Sequence, residues 1–184
     1  MSGHNKWSKI KHKKAATDSV KSKTFSKHSS LITMESRKAG GDVNSPGLAA
    51  AIVRAKQDSM PKENIDRAVA KGAGTDGASL SEVIFEAYGP GGTALLITAV
   101  TDNNNRTSQE VKHILSKQGH ELGAPHSAAW AFTKTATGYS PTTPLLLSDE
   151  DGEKLADLIE ALEGQDDVQE IYTTADEAGD GETI

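Results

Sequence analysis

Apolar positions are sparse in the first third of the chain and dense in the middle. From Lys9 to Lys38 there is no Pro or Gly, and the main apolar residues are Ile10, Val20, Phe25, Leu31, Ile32 and Met34. Such a stretch can bury only a thin stripe, which predicts one or two basic helices with much exposed surface. Gly40-Gly41 ends it. Ser45-Pro46 reads as an N-cap followed by Pro at N1, and Leu48, Ile52 and Ala55 continue at helical spacing. Pro61 opens another helix with Ile65, Ala68 and Val69 on one face, closed by the run from Gly72 to Gly77. The period then changes. Val83, Phe85 and Ala87 alternate with Ile84, Glu86 and Tyr88, which predicts a strand. Gly89-Pro90-Gly91-Gly92 is a turn by composition, and Thr93–Thr101 is a second strand, giving an antiparallel hairpin. Thr107-Ser-Gln-Glu110 has the pattern of a capping box before a helix with Val111, Ile114 and Leu115 inward. Residues 128–132 and 144–147 are strand candidates. Ser148-Asp-Glu-Asp151 is a second capping box, ahead of a helix with Leu155, Leu158, Ile159 and Leu162 on its apolar face. Val168–Thr173 is the last strand.

These elements predict an α+β protein: an N-terminal helical domain over residues 1–75, then a small α+β, sandwich-like domain over 76–175. Residues 176–184 have almost no apolar content and are expected to be a disordered acidic tail. The longest apolar run, Ala94–Val100, is far short of the ~20 residues of a membrane span. No apolar segment follows the N-terminal lysines, so no secretory signal is expected. With no cysteine there can be neither disulfides nor thiolate chemistry. These features fit a cytoplasmic protein with no membrane partner.

Charge changes the picture more than composition does. Residues 1–38 hold ten bases against two acids, and residues 139–184 hold one base against fourteen acids. The whole-chain net charge of -6 hides this polarity. A basic end of this kind points to a polyanion partner.

Candidate chemistry concentrates in that basic end. Lys6, Lys9, Lys11, Lys13 and Lys14 can neutralise phosphates. Trp7 among them can stack on a base for ~1–3 kcal/mol, with His12 beside them. Lys21, Lys23 and Lys27 extend the basic surface along the helix. The alternative is a solvated basic tail with Trp7 tucked into the helical domain. Composition favours binding but does not separate DNA from RNA. Asp102–Thr107 is unusually polar, and Arg106 could reach a phosphate at a helix N-terminus. Turn and capping chemistry explains that loop at least as well. Gly72-Ala-Gly74-Thr-Asp-Gly77 matches G-x-G-x-x-G but follows a helix and precedes a strand, the reverse of a dinucleotide site. Six histidines show no metal-ligand spacing. The acidic side chains from Glu150 to Glu163 follow the exposed side of an amphipathic helix. No catalytic, cofactor or metal residues and no small-molecule substrate are assigned, and an enzyme is not expected.

The opening Gly3-His-Asn-Lys-Trp7-Ser-Lys-Ile-Lys-His12-Lys-Lys-Ala-Ala16 resembles that of the YebC family, which includes the mitochondrial translational activator of cytochrome oxidase subunit one. Met60-Pro61-Lys62 with Ile65 and Arg67-Ala68, Tyr88-Gly-Pro-Gly-Gly92, Thr101–Thr107 and Leu158–Tyr172 are similar too. The resemblance implies three domains, helical then two α+β, with the third inserted in the second. Here Phe132 runs through Gly138 almost directly to Thr142–Leu147, so the chain looks like a shortened member, its usual insert missing near 133–142. Asn104 stands where the family commonly has Arg. Gly119-His120 replaces a common Gly-Gly, and Ala124-Pro-His126 replaces a usual loop. The resemblance implies a ribosome-associated, RNA-binding translation factor that relieves stalling at proline-rich stretches, with ribosomal RNA as partner. A DNA-binding transcriptional regulator is the alternative, and an interaction module that holds a basic protein is a third.

Overall fold

Three helices build the N-terminal unit of the computed structural model, which describes residues 18–74, 79–136 and 138–176. The chain forms two compact units, one helical and one α+β. In the first, α1 spans Asp18–Lys38, α2 Pro46–Gln57 and α3 Lys62–Ala73. Ile32, Leu48, Ala51, Ala55, Met60, Ile65 and Ala68 make its core, flanked by Phe25, Leu31 and Ile52. α1 ends as expected, with Gly40 and Gly41 at φ of 60° and 84°. Ser45 is the N-cap of α2 and Pro46 its first residue.

α1 and α3 approach closely because small residues meet there. The Ser36 hydroxyl donates to Val69 O at 2.7 Å, and the Thr33 hydroxyl donates to Ala68 O at 3.3 Å. A Cβ on Gly72 would overlap Thr33 O and stand 2.6 Å from Ser36 Cβ. Gly72 is therefore a buried residue inside the helix rather than the start of the run that closes it. Its missing side chain is what lets the helices touch. The expected closing run begins only after Ala73; residues 75–78 lie outside the described residues.

β1 (Ser81–Tyr88), in the second unit from Ile84 on, and β2 (Ala94–Thr101), in it as far as Ala99, flank a 3-10 turn at Pro90–Gly92. A link this short permits only antiparallel pairing. β5 (Val168–Thr173) pairs antiparallel with β2, from Leu95↔Thr173 to Ala99↔Val168, and gives the order β1-β2-β5. All eight residues of the central β2 are buried. Ala94 and Leu96 pack with Ala128, Ala131 and Phe132. Leu95 converges with Leu155 and Leu158 on Gly89. α4 (Asn104–Lys117) buries Val111 and Leu115, and α5 (Asp149–Glu163) buries Leu155, Leu158, Ile159 and Leu162. Ser148 caps α5 as its motif predicts, accepting from Asp151 N at 3.1 Å.

Three local expectations are corrected. Thr107 does not cap α4. The helix starts at Asn104, and the Thr107 hydroxyl is turned to Asp167 instead. Residues 129–131 form a 3-10 turn, not a strand, because the N–H groups of Ala128 and Ala129 are taken by the Glu86 carboxylate. Residues 144–147 make only a single parallel bridge, Leu145↔Ala175. The sequence reading also missed a tight hairpin, β3 (Phe132–Thr135) with β4 (Gly138–Pro141). Gly138 has φ 147°, and a Cβ there would run into the Tyr172 ring, whose edge meets Tyr139 at 5.3 Å. This hairpin occupies the place where the resemblance puts an inserted domain.

Candidate nucleic-acid interface

Of the candidate contact residues, Lys6, Trp7, Lys9, Lys11, His12, Lys13 and Lys14 lie outside the described residues, as do residues 177–184 of the acidic tail. Lys21, Lys23 and Lys27 stand on α1. Phe25, Leu31 and Ile32 turn that helix toward its core, which leaves Lys21 and Lys23 exposed and Lys27 half-buried. Lys23 and Lys27 are one turn apart and so share a helix face. Residues 18–74 carry ten bases and six acids, so this stretch is basic by itself. Some acids are locally engaged: Glu35 pairs with Lys38 at 2.8 Å, and Asp58 lies 2.6 Å from His28 Nε2.

Arg106 is in the α+β unit and is held there. Its Nη2 donates to Asp167 Oδ2 at 2.8 Å. The Thr107 hydroxyl donates to the same oxygen at 2.7 Å, and Gln165 Nε2 does so at 3.2 Å. Gln165 in turn accepts from the N–H groups of Asp167 and Val168 and donates to Glu110 at 2.8 Å. Burial alone would raise the Asp167 carboxyl. The hydrogen bonds from Arg106, Thr107 and Gln165, with the Arg106 charge, outweigh it and hold the group below the ordinary aspartate value. The network ties the start of α4 to the junction of α5 and β5. Any phosphate contact by Arg106 competes with it.

A second constellation escaped the sequence reading. The buried Glu86 carboxylate accepts from the N–H groups of His126, Ala128 and Ala129 at 2.7, 2.7 and 2.8 Å. Burial pushes its carboxyl up; the three N–H bonds, with the nearby His126 ring, push it down further. The loop so held presents Trp130, which is 73% exposed. Alternation gave Glu86 a place in a strand but no hint of a partner forty residues away. Trp130, set among alanines in a chain that is only 4% aromatic, was the signal available. Among the described residues no group of three His, Asp or Glu side chains is placed to hold a metal ion, and no helix is long and apolar enough to cross a membrane.

Residues 5–75 match the TACO1/YebC protein N-terminal domain, and residues 80–137 match the TACO1/YebC second and third domain. A protein of Fervidobacterium nodosum is 34% identical over 96% of this chain and 94% of its own length. The chain belongs to the TACO1/YebC family. A Kosmotoga olearia protein is 42% identical over 97% of this chain and 72% of its own length. One from Petrotoga mobilis is 50% identical over 73% of this chain and 54% of its own; the chain thus spans about half the length of several of its relatives. All three carry the name "Probable transcriptional regulatory protein". The crystal structure of a conserved hypothetical protein from Aquifex aeolicus is similar with a TM-score of 0.80 and 29% identity, over 91% of this chain and 95% of that one. The chain is a short TACO1/YebC member. Its alignment with the Fervidobacterium protein runs over 237 positions against 184 residues here, so at least 53 positions face a gap in this chain. The match to the second and third domain stops at residue 137, which in sequence lies between β3 and β4.

Proposed function

We propose that this chain is a nucleic-acid-binding regulator of gene expression that acts on RNA, as a ribosome-associated translation factor relieving stalling at proline-rich stretches. The observation that carries the reading is the division of charge. Residues 1–74 hold fifteen bases against six acids, and residues 75–184 hold five against twenty. A field of this kind draws phosphates to the basic end of the chain and repels them, though not an uncharged base, at the other. Lysines there release counterions as they meet phosphates. Membership of the TACO1/YebC family supports a regulator of gene expression; the ribosomal role rests on the resemblance to translation factors. The reading needs no side-chain chemistry and no cofactor. A protein seated near a reacting centre can favour a productive pose by positioning alone. The cytoplasm is its place of action.

One observation favours a second reading, on DNA: the relatives are named as probable transcriptional regulatory proteins. A transcriptional regulator binds duplexes selectively, with a specific to non-specific ratio of roughly 10³ or more. Ultraviolet cross-linking in cells, followed by sequencing of the attached nucleic acid, separates the two. Cross-links concentrated in large-subunit ribosomal RNA, and lost with Trp7→Ala and reversal of Lys11, Lys13 and Lys14, are the expected result. Enrichment at a few duplex DNA loci with ribosomal RNA at background would promote the regulator instead.

A further inference from the structure

Single exposed aromatics are ordinary on protein surfaces, but Trp130 is exposed and also fixed. Its indole N–H donates to Ser127 O at 2.9 Å and to the Tyr88 hydroxyl oxygen at 3.1 Å. The Tyr88 hydroxyl donates to the same Ser127 carbonyl at 2.7 Å. Both rings therefore hang by their polar edges on one carbonyl. The loop carrying that carbonyl is clamped by Glu86 through the N–H groups of residues on either side of it. Beneath it, Ala128 and Ala131 are buried against Ala94 and Leu96. The indole is thus ordered before any partner arrives, which removes most of the entropy cost of using it. Tyr88 is itself 39% exposed.

A ring whose N–H is already satisfied offers a partner only its π face. A cation or a nucleobase could use that face. A cation is favoured where a carboxylate stands ready beside the ring. The carboxylate in this cluster, Glu86, is 7% exposed and spends its lone pairs on three N–H donors. A neutral base needs no such partner. We infer that Trp130, with Tyr88, is a stacking platform for an unpaired base of a single-stranded nucleic acid. The inference rests on the nucleic-acid reading above and adds a contact to the α+β unit. That unit is acidic, so the contact reads the base and leaves the phosphate alone. Binding at Trp130 is then nearly independent of salt, unlike binding at the lysines of α1.

The test uses the full chain. It has two tryptophans, so Trp7→Phe leaves Trp130 as the sole indole reporter. Titration with single-stranded oligoadenylate should quench its fluorescence saturably, and an abasic oligonucleotide of the same length should not. In the otherwise native chain Trp130→Ala should weaken oligoadenylate binding roughly 10-fold or more, with the salt slope unchanged. Trp130→Phe, which keeps a ring but loses the N–H, should recover part of that affinity. Matched melting curves would exclude unfolding as the cause. Binding that Trp130→Ala leaves untouched would overturn the platform alone. Failure of the full chain to bind either oligonucleotide would overturn the nucleic-acid reading with it. Quenching by an arginine-rich peptide but not by oligoadenylate would replace the base with a cation.

Discussion

Glu86 shows how one side chain can set the conformation of a distant loop. Its carboxylate meets three N–H groups some forty residues away, and those bonds deny the same N–H groups to a sheet. Both Glu86 and Asp167 are held below their ordinary pKa, because hydrogen bonding outweighs burial. Unfolded carboxylates of these kinds titrate at about 3.9–4.3. A group that ionises more readily in the folded chain adds stability above its unfolded pKa and loses that contribution as pH falls through its folded value. Stability is therefore expected to be level above about pH 5 and to decline below about pH 4. Glu86→Gln should cost about 1–3 kcal/mol near neutrality, since an amide turns its own N–H groups toward donors. It should also remove part of the acid decline. Urea unfolding of both proteins at about pH 7 and about pH 3.5 checks this. An equal gap at both pH values would mean that the Glu86 charge contributes nothing.

At the level of elements, the contact between α1 and α3 carries the sharpest steric demand. Alanine is a better helix former than glycine by about 1 kcal/mol, so Gly72→Ala in an isolated helix would stabilise it. In this packing the added methyl meets the Thr33 carbonyl, and backbone cannot swing away as a flexible side chain can. The expected outcome is a net loss of about 1–3 kcal/mol, typical of overpacking, read from thermal melts of the full chain. A higher melting temperature would show that the helices stand further apart. The same contact marks the edge of what was legible. α2, α5 and β1 were readable because each repeats its apolar residues with one clear period, β2 because it is a run of apolar and β-forming residues, and the Ser148 cap lies beside the helix it caps. Thr107, Ala128–Phe132 and Gly72 were misread for a shared reason. Each meets a partner distant in sequence: Asp167, Glu86 and Thr33. The β3–β4 hairpin was missed because four-residue strands are too short to show a period. The basic face of α1 was legible from composition, whereas the Trp130 platform depends on long-range hydrogen bonds and was not.

For the whole molecule the controlling quantity is the separation of charge. An average of -6 predicts repulsion from nucleic acid, yet fifteen of the twenty bases lie in residues 1–74. Exposed charges more than a Debye length apart, about 8 Å at physiological salt, scarcely feel each other. A phosphate at α1 therefore feels mainly the charges within that distance, not the average of the chain. This argument makes a quantitative demand on α1. If Lys21, Lys23 and Lys27 each neutralise one phosphate, reversing all three to Glu should reduce the slope of log affinity against log salt. The reduction should be about 2–3, at 0.7–0.9 per phosphate. The loss should be largest at low salt and fall equally on all sequences, because phosphates carry no sequence information. Binding of one single-stranded RNA at several salt concentrations, from roughly 50 to 200 mM, measures it. A slope unchanged by the triple reversal would remove α1 from the interface and leave the basic opening to bear the whole contact. A loss confined to one sequence would mean that these lysines read bases, contrary to the chemistry of an ammonium group on a phosphate.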